Sequence, residues 1–272
     1  MIEQIKQAGG ARTPLSQSYV ARALSEGEVE LADAMVGRVA ALAELADARG
    51  VRLMIDAEHT YFQPAIDHTA KALSMQYNKE WPVIFNTYQA YLKGSYTLLM
   101  EDMERARRNG FGAKLVRGAY LSLERRRAAA KGQESPIWDT LQDTHDNYNR
   151  CMRAVLREVK ESGAELMIAS HNQDSIEQAV QEMHRLGLPP TGGGVYFGQL
   201  LGMADSLTFT LGQNGYEAFK YVPYGPIAEV LPYLVRRAQE NSAIVQGAAV
   251  ARQMDMLRSE IGRRVVRLGR AG

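Results

Sequence analysis

The first strong pattern in the chain is a helix that begins after Ser25 and ends at Gly50. Glu28 lies three residues after Ser25, the spacing of a capping box that satisfies free amides at a helix start. Gly50 is the residue type that most often ends a helix. Apolar residues recur between these ends at Val29, Met35, Val39, Leu42 and Leu45. The pattern therefore predicts one helix across the segment.

Six short apolar runs follow, and each precedes a stretch with helical periodicity. The runs are VRLMID (51–56), VIFN (83–86), FGAKLV (111–116), LMIA (166–169), VYFG (195–198) and AFKYV (218–222). Most intervals are close to the roughly 30 residues of a βαβ unit, which predicts a parallel sheet. Continuously apolar strands indicate that both faces are covered, as in a barrel or a doubly wound sheet. No early strand carries GxGxxG, so we favour the barrel.

The longest interval, between Val116 and Leu166, contains the main insertion. Its sequence predicts a helix, an ordered loop and then a second helix around residues 147–161. We expect three parts in the chain: an N-terminal arm and helix at 1–50, the barrel region at 51–247, and an amphipathic helix at 248–272.

Composition narrows the classes of protein that fit this pattern. The 272 residues, 46% of them hydrophobic, suffice for one large α/β domain. A net charge of +1, with acids interleaved among bases, gives no reason to expect nucleic acid. Cys151 is the single cysteine, so it cannot form an internal disulfide, and the histidines lack metal-ligand spacing. Without an apolar signal core or a long apolar run, the chain is expected to be soluble or peripheral and not secreted.

A second helical pattern, in residues 227–241, carries candidate binding chemistry. Tyr233, Arg236, Arg237 and Glu240 follow the spacing i, i+3, i+4, i+7 and fall on one face. Two adjacent guanidinium groups can hold a planar carboxylate, so a small acid is the natural ligand. The structural alternative is a solvated face closed by Arg–Glu pairs.

Polar residues also gather where the predicted strands end. They are Asp56, Asn86, Lys114, Arg117, the segment 170–172, Gln199 and Tyr221. Parallel barrels place their active sites at this end of the strands. Taken singly, such residues also serve as helix caps or turn residues. Lys114 differs because a lysine inside an apolar strand is costly to bury unless it faces an anion or an electron-rich ring. Gly118 and Ala119, without bulky side chains, would let the backbone approach a ligand.

These segments together resemble the proline dehydrogenase family. The similar segments are IDAEHTYFQPAI (55–66), FNTYQAYLK (85–93), KLVRGAY (114–120), ASHN (169–172), FGQLLGM (197–203), KYVPYGP (220–226) and YLVRRAQEN (233–241). The resemblance implies a flavoenzyme with a modified (βα)8 barrel whose last helix lies over the barrel mouth. This chain departs from the family in having no counterpart of the first two strands, the second of which carries a carboxylate-binding lysine. This departure implies an incomplete barrel and a weakened affinity for proline.

The resemblance also implies roles for particular residues. Arg236 and Arg237 would hold the carboxylate of L-proline, and Lys114 and Asp56 would be catalytic. The pocket around the proline ring would be lined by Tyr120, Leu200, Tyr221 and Tyr233. The cofactor would be FAD, with Lys114 near its N5 and Asn86 at its pyrimidine end. Its other contacts would be Val116, Gly118, Ala119, Tyr120, Ser170, His171, Asn172 and Glu240.

The implied reaction is transfer of a hydride from C5 of proline to the flavin, giving Δ1-pyrroline-5-carboxylate, with a quinone as the final acceptor. Such a protein would be cytoplasmic or peripheral on the inner membrane in a bacterium, and on the matrix side of mitochondria in a eukaryote. Relatives that oxidise hydroxyproline have a smaller residue, a serine, where Tyr221 stands, so this chain is expected to prefer proline. The alternatives are hydroxyproline oxidation, a non-catalytic barrel that binds proline or a partner, and a lyase with Lys114 as a Schiff base.

The C-terminal segment carries a further apolar stripe. It consists of Val250, Met254, Leu257, Ile261 and Val265, flanked by Arg252, Arg258, Arg263, Arg264 and Arg267. We expect the stripe to pack on the barrel. The alternative is a basic helix that lies on an anionic membrane, where a quinone acceptor would be found.

Overall fold

The computed structural model describes residues 25–106, 109–245, 254–255 and 257–264, with the side chains of 236 and 238–245 left out of the description. The N-terminal arm at 1–24 and Val250, Arg252, Val265 and Arg267 of the C-terminal stripe lie outside the described residues. The helices are α1 (Glu26–Arg49), α2 (Gln63–Tyr77), α3 (Ser95–Ala106), α4 (Leu121–Ala130), α5 (Leu141–Ser162), α6 (Gln173–Leu186), α7 (Asp205–Gln213) and α8 (Ile227–Val245). The strands are β1 (Leu53–Ile55), β2 (Ile84–Gln89), β3 (Gly112–Val116), β4 (Glu165–Ala169), β5 (Val195–Leu200) and β6 (Ala218–Tyr221).

All six predicted strands are confirmed, and in the described residues they form one sheet in chain order, β1 to β6. The pairings from β1 to β5 are parallel. The first strand is shorter than its apolar run, since Val51 and Arg52 precede it. The insertion after β3 also follows the prediction: α4, a loop and α5 lie between β3 and β4. The chain therefore forms successive βα units around a parallel sheet.

The two faces of the sheet have different surroundings. One face, here called the helix-packed face, contributes Leu115 and Ile168 to the main hydrophobic core, which includes side chains of α3, α5 and α6. The other, here called the inner face, carries the smaller cluster of Phe85, Met167 and Tyr196. Because successive side chains of a strand point to opposite faces, every second residue belongs to the inner face.

Helix α1 has the ends that the sequence predicts. The Ser25 side chain accepts from the amide of Glu28, the Glu28 side chain accepts from the amide of Ser25, and Gly50 ends the helix with φ 63°. Its buried residues are the small Ala43 and Ala46. The larger apolar residues of the predicted stripe are partly outside the core, since Leu42 is 54% exposed. Small side chains let this helix pack closely beside α2 and β1.

An ion pair crosses the N-terminal end of the inner face. Arg52, just before β1, binds Glu165 at the start of β4 through two nitrogens, with Nη2 2.7 Å from Oε1. The Tyr196 hydroxyl donates to the same carboxylate at 3.1 Å, and the Arg52 guanidinium lies 4.7 Å from the Tyr196 ring centroid. The hydrogen bond to Glu165 raises the pKa of Arg52. This cluster joins β1, β4 and β5 across the sheet.

Asn78, at the end of α2, fixes the start of β2. Its side-chain oxygen accepts from the amides of Val83 and Ile84 at 3.0 and 2.8 Å. Its Nδ2 donates to the carbonyls of Ile84 and Gly110 at 2.9 and 3.0 Å. The side chain is buried, so no water can replace these four bonds if the amide is removed.

The chain divides into two compact units, residues 1–219 and 220–272. The first contains β1 to β5 and the helices from α1 to α7. The second contains α8 and the helical residues 254–255 and 257–264. Among the described residues, no helix combines the length and the apolar character needed to cross a membrane.

Replacing Asn78 by Ala should lower the free energy of unfolding by about 2–4 kcal/mol, because each buried group left unsatisfied costs about 1–3 kcal/mol. Chemical denaturation of the purified protein measures this change. Asn214→Ala is the matched control, since Asn214 is exposed and its side chain makes one bond, to the carbonyl of Thr210. Equal losses in the two variants would contradict the role assigned to Asn78.

Candidate active site

Lys114 lies on the inner face and forms an ion pair with Asp56. In the sheet register it is opposite Thr87 of β2 and Met167 of β4. Its Nζ lies 2.5 Å from Oδ1 of Asp56, the residue that follows β1. The lysine side chain is 14% exposed, whereas that of Asp56 is 58% exposed. The carboxylate thus compensates a largely buried cation and remains open to solvent itself.

Asn86 lies on the opposite face of the sheet from Lys114. It is adjacent to Thr87, which pairs with Lys114, so the alternation of side chains directs Asn86 towards the helices. Its Nδ2 donates to Asp67 of α2 at 2.9 Å, and the side chain is buried. The sequence predicts that Asn86 and Lys114 meet one ligand, but the described structure does not bring their side chains together.

Gln89 is an inner-face residue that the sequence analysis did not single out. It ends β2, is paired in register with Val116, and is buried. Its Nε2 donates to the carbonyl of Glu58 at 2.9 Å. Gln89 is two residues beyond Thr87, which lies opposite Lys114. The side chains of Gln89 and Thr87 therefore both point to the inner face. The period-2 pattern of β2 was the signal that could have identified it.

Arg117, directly after β3, connects three other parts of the first unit. Its Nε donates to Nδ1 of His145, its Nη1 to the hydroxyl of Ser170, and its Nη2 to the hydroxyl of Ser175, each at 2.8 Å. Burial lowers the pKa of Arg117, and burial followed by the charge of Arg117 lowers the pKa of His145. A cation with neutral acceptors is thus held beside the turn between β4 and α6.

The segment 170–172 forms that turn. The Ser170 hydroxyl accepts from the amide of Asn172 at 3.0 Å, and the Asn172 side chain accepts from the amide of Ser175, which caps α6. Nε2 of His171 accepts from the amide of Leu200 at the end of β5. The helix-cap reading is thus correct for Asn172. The turn is fixed to β5 as well, at the end of the strands where a ligand is expected.

Gly118 adopts a conformation with φ 131°. A Cβ at this position would lie 2.4 Å from Cδ1 of Tyr91, a distance that no real contact allows. The sequence suggests that a glycine here lets a ligand approach, but in the structure the close neighbour is the Tyr91 ring. Val116, Ala119 and Tyr120 are half-buried around this bend.

The second unit contains the remaining candidate residues. The rings of Tyr221 and Tyr233 have centroids 6.1 Å apart. The guanidinium carbon of Arg237 lies 5.2 Å from the centroid of Tyr233, within the range of a cation–π contact. Arg236 and Glu240 are residues of α8, and their side chains lie outside the described part of the structure. Two tyrosines and one arginine of the predicted pocket are therefore neighbours on this unit.

The single cysteine has no chemical role in this arrangement. Cys151 is buried on α5, and burial raises the pKa of its thiol to about 12. A thiol with so high a pKa is protonated at neutral pH and unreactive. Cys151 is therefore a small buried side chain of the main core.

A curled parallel sheet with helices, with a lysine–carboxylate pair on its inner face, defines a class of partial (βα)-barrel proteins. Comparison with known proteins identifies the family within this class. The family model described as proline dehydrogenase matches residues 1–249. The chain belongs to the proline dehydrogenase family.

Several relatives are similar over most of this chain. Human proline dehydrogenase 1, mitochondrial, is 50% identical over 247 residues, which cover 90% of this chain and 41% of the human protein. Hydroxyproline dehydrogenase of Xenopus laevis is 44% identical over 246 residues, which cover 89% of this chain and 52% of that protein. The chain thus spans about half or less of the length of these relatives.

A solved structure supports the fold. The proline utilization A protein of Bdellovibrio bacteriovorus, inactivated by N-propargylglycine, matches with a TM-score of 0.70 and 25% identity. The match covers 78% of this chain and 22% of that protein. The predicted fold class, a barrel of the proline dehydrogenase type, is confirmed, with six strands among the residues that the structure describes.

The packing of Gly118 against Tyr91 gives a test of the site's local structure. Gly118→Ala should lower the free energy of unfolding by about 3 kcal/mol or more, because it combines backbone strain with overpacking, each costing about 1–3 kcal/mol. Thermal and chemical denaturation measure the loss. Gly132→Ala is the control, since Gly132 also has positive φ but nothing lies within 4 Å of an added Cβ. A loss no larger than that of the control would show that Tyr91 does not confine this position.

Proposed function

We propose that this chain carries the active site of an FAD-dependent dehydrogenase that oxidises L-proline to Δ1-pyrroline-5-carboxylate. Membership of the family and relatives named proline dehydrogenase support the substrate class. The observation that carries the proposal is the Lys114–Asp56 pair on the inner face, because it holds a cation of β3 beside the carboxyl end of β1, the side on which barrel enzymes bind ligands.

The residues of the first unit fit a flavin cofactor chemically. When bound, FAD supplies the two-electron acceptor that takes the hydride from C5 of proline at its N5. A cation near the flavin ring favours its reduced, more negative form, and Lys114 would supply that charge. The Arg117 cation beside the 170–172 turn suits the anionic diphosphate, as does the nearby start of α6. The other proposed FAD contacts are Asn86, Val116, Gly118, Ala119, Tyr120, Ser170, His171, Asn172 and Glu240.

Asn86 has the weakest support among these contacts. Its amide donates to Asp67 on the helix-packed side, so contact with a ligand on the inner face would require a shift in the register of β2. Gln89 ends the same strand on the inner face and needs no such change. We therefore include Gln89 among the residues that would face the cofactor.

The substrate would be held through its carboxylate and its ring. Arg236 and Arg237 would bind the carboxylate through charged hydrogen bonds, each worth about 1.5–3 kcal/mol when shielded from water. Tyr120, Leu200, Tyr221 and Tyr233 would line the ring pocket. Asp56, with its exposed carboxylate, would accept polar contacts there and keep Lys114 in place.

The choice between proline and hydroxyproline depends on Tyr221 in this proposal. Both kinds of dehydrogenase occur among the relatives, at 50% and 44% identity in the two examples above. A tyrosine at this position leaves little room for a ring hydroxyl, and an added hydroxyl would meet bulk instead of a hydrogen-bond partner. We therefore assign proline as the preferred substrate, with hydroxyproline as the alternative.

The electron acceptor is proposed to be a quinone, reached at a membrane surface. Three apolar residues of the C-terminal stripe are exposed, Met254 by 46%, Leu257 by 58% and Ile261 by 61%. Arg258 and Arg263 lie in the same segment and would face anionic lipid headgroups. These exposed apolar side chains are compatible with the membrane alternative. Several relatives are named as mitochondrial, which is compatible with a location on the matrix side.

The first test is a visible absorbance spectrum of the purified protein. We expect flavin bands that are bleached when L-proline is added without oxygen, because the substrate reduces the cofactor. A colourless protein that takes up no added FAD would instead favour the non-catalytic barrel. Borohydride trapping of a carbonyl substrate on Lys114 would favour the lyase alternative.

Replacing Lys114 by Met should lower the flavin reduction potential, because it removes a positive charge that favours the reduced form. If the reduced flavin loses about 1.4 kcal/mol of stabilisation, the reduction potential of this two-electron couple falls by roughly 30 mV. A dye-equilibration titration measures the potential. Lys93→Met is the control, since Lys93 binds Glu134 on the surface. An unchanged potential in Lys114→Met would remove the proposed role.

Substrate preference should depend on Tyr221. We expect kcat/KM for L-proline to exceed that for 4-hydroxyproline by about tenfold or more, the scale on which one added group is discriminated. Tyr221→Ser should narrow this ratio by making room for the hydroxyl. Steady-state kinetics with both substrates measures the ratio of the two kcat/KM values. Faster turnover of 4-hydroxyproline by the unmodified protein would overturn the assignment.

A further inference from the structure

Glu124 is a buried carboxylate that accepts two hydrogen bonds from the loop after β1. It lies on α4 and is 2% exposed. Oε1 accepts from the amide of Thr60 at 2.8 Å, and Oε2 accepts from the Thr60 hydroxyl at 2.7 Å. Nδ1 of His59 lies 3.4 Å from Oε1. A buried carboxylate is tolerated only when its oxygens are bonded in this way, so the loop and α4 depend on each other.

His59, which contacts Glu124, also packs against two aromatic rings. The centroid of its imidazole lies 3.9 Å from that of Tyr120, with the planes inclined by 36°. It also stacks on Tyr61 at 5.2 Å, with the planes 9° apart. The Arg127 guanidinium covers Tyr61 at 4.0 Å from its centroid. Tyr120 is thereby packed against a ring that Glu124 holds in place.

The same loop carries two other contacts with the inner-face site. Asp56, at its start, forms the ion pair with Lys114, and the carbonyl of Glu58 accepts from Gln89. The loop is therefore fixed to β3, to β2 and to α4 within five residues. Glu124 is the one of these three anchors that lies outside the sheet.

We propose that Glu124 and His59 are positioning residues that hold Tyr120 against the substrate. The inference rests on the proposed function, in which Tyr120 lines the proline pocket. A wall residue contributes binding that is equal for the substrate and the transition state, so its displacement raises KM and leaves kcat nearly unchanged. FAD affinity should change little, because Tyr120 is one of many proposed FAD contacts, and the Lys114–Asp56 pair and the 170–172 turn have contacts of their own.

The test uses His59→Ala, His59→Phe and Glu124→Gln in the full chain. For each variant, kcat and KM for L-proline, the Kd of FAD by fluorescence and the Tm are measured. His59→Ala should raise KM by about tenfold, while kcat and the FAD Kd stay within about twofold of the unmodified protein. A rise in KM at unchanged kcat is typical of losing an interaction that binds the substrate and the transition state equally. His59→Phe, which keeps a flat ring on Tyr120, should recover most of the affinity. Glu124→Gln should raise KM in the same way, because the loop loses its charged acceptor.

A matched control separates positioning from general stability. Glu182 is a mostly buried carboxylate on α6, and it accepts from Arg185 at 2.7 and 2.8 Å. Glu182→Gln should lower the Tm without changing the KM for proline. If Glu124→Gln does not fold, His59→Ala still provides the test, since the His59 side chain is partly exposed.

Two results would overturn the positioning role while leaving the proposed function intact: an unchanged KM in His59→Ala, or equal changes in KM, kcat and FAD Kd. If the unmodified protein does not oxidise proline, the proposed function fails instead. Amide hydrogen exchange then tests the anchorage without turnover. The Thr60 amide should be protected in the unmodified protein and should lose at least tenfold of that protection in Glu124→Gln. Unchanged protection would refute the anchorage itself.

Discussion

The register of the parallel sheet is the constraint on which the candidate site depends. Because neighbouring strands pair residue by residue, Thr87, Lys114, Met167 and Tyr196 lie in one row across the inner face. A slip of one residue in β3 would move Lys114 into the helix-packed core and expose the core residues of that strand. The apolar residues that alternate with Lys114 therefore determine where its charge lies.

Charge compensation explains how the other parts of the first unit are arranged around this row. In the middle of β3, Lys114 has its carboxylate from the loop after β1. At the amino ends, Arg52 has its carboxylate from β4. Glu124 accepts from the same β1 loop. In each case the two partners come from different βα units, so these polar contacts fix the curl of the sheet as well as the chemistry of its ends.

Much of this architecture follows from the sequence, because it is encoded locally. The capping box at Ser25 and the apolar runs predict α1 and all six strands. Three features were not predicted from the sequence, because they depend on the sheet face that a side chain occupies or on tertiary contacts. Asn86 and Gln89 differ only in which face of β2 they occupy, and the strand's period-2 alternation distinguishes them. Glu124 lies in a helix rich in arginine, and only the fold brings Thr60 to it. The glycine at 118 was expected, but its neighbour Tyr91 was not.

A crystal structure of the protein with FAD and a non-oxidisable proline analogue tests the central claim most directly. We expect the flavin on the inner face, with Lys114 Nζ within hydrogen-bonding distance of the ring and the analogue's carboxylate bound by Arg236 and Arg237. A flavin bound on the helix-packed side beside Asn86, or an analogue carboxylate that meets neither arginine, would contradict it.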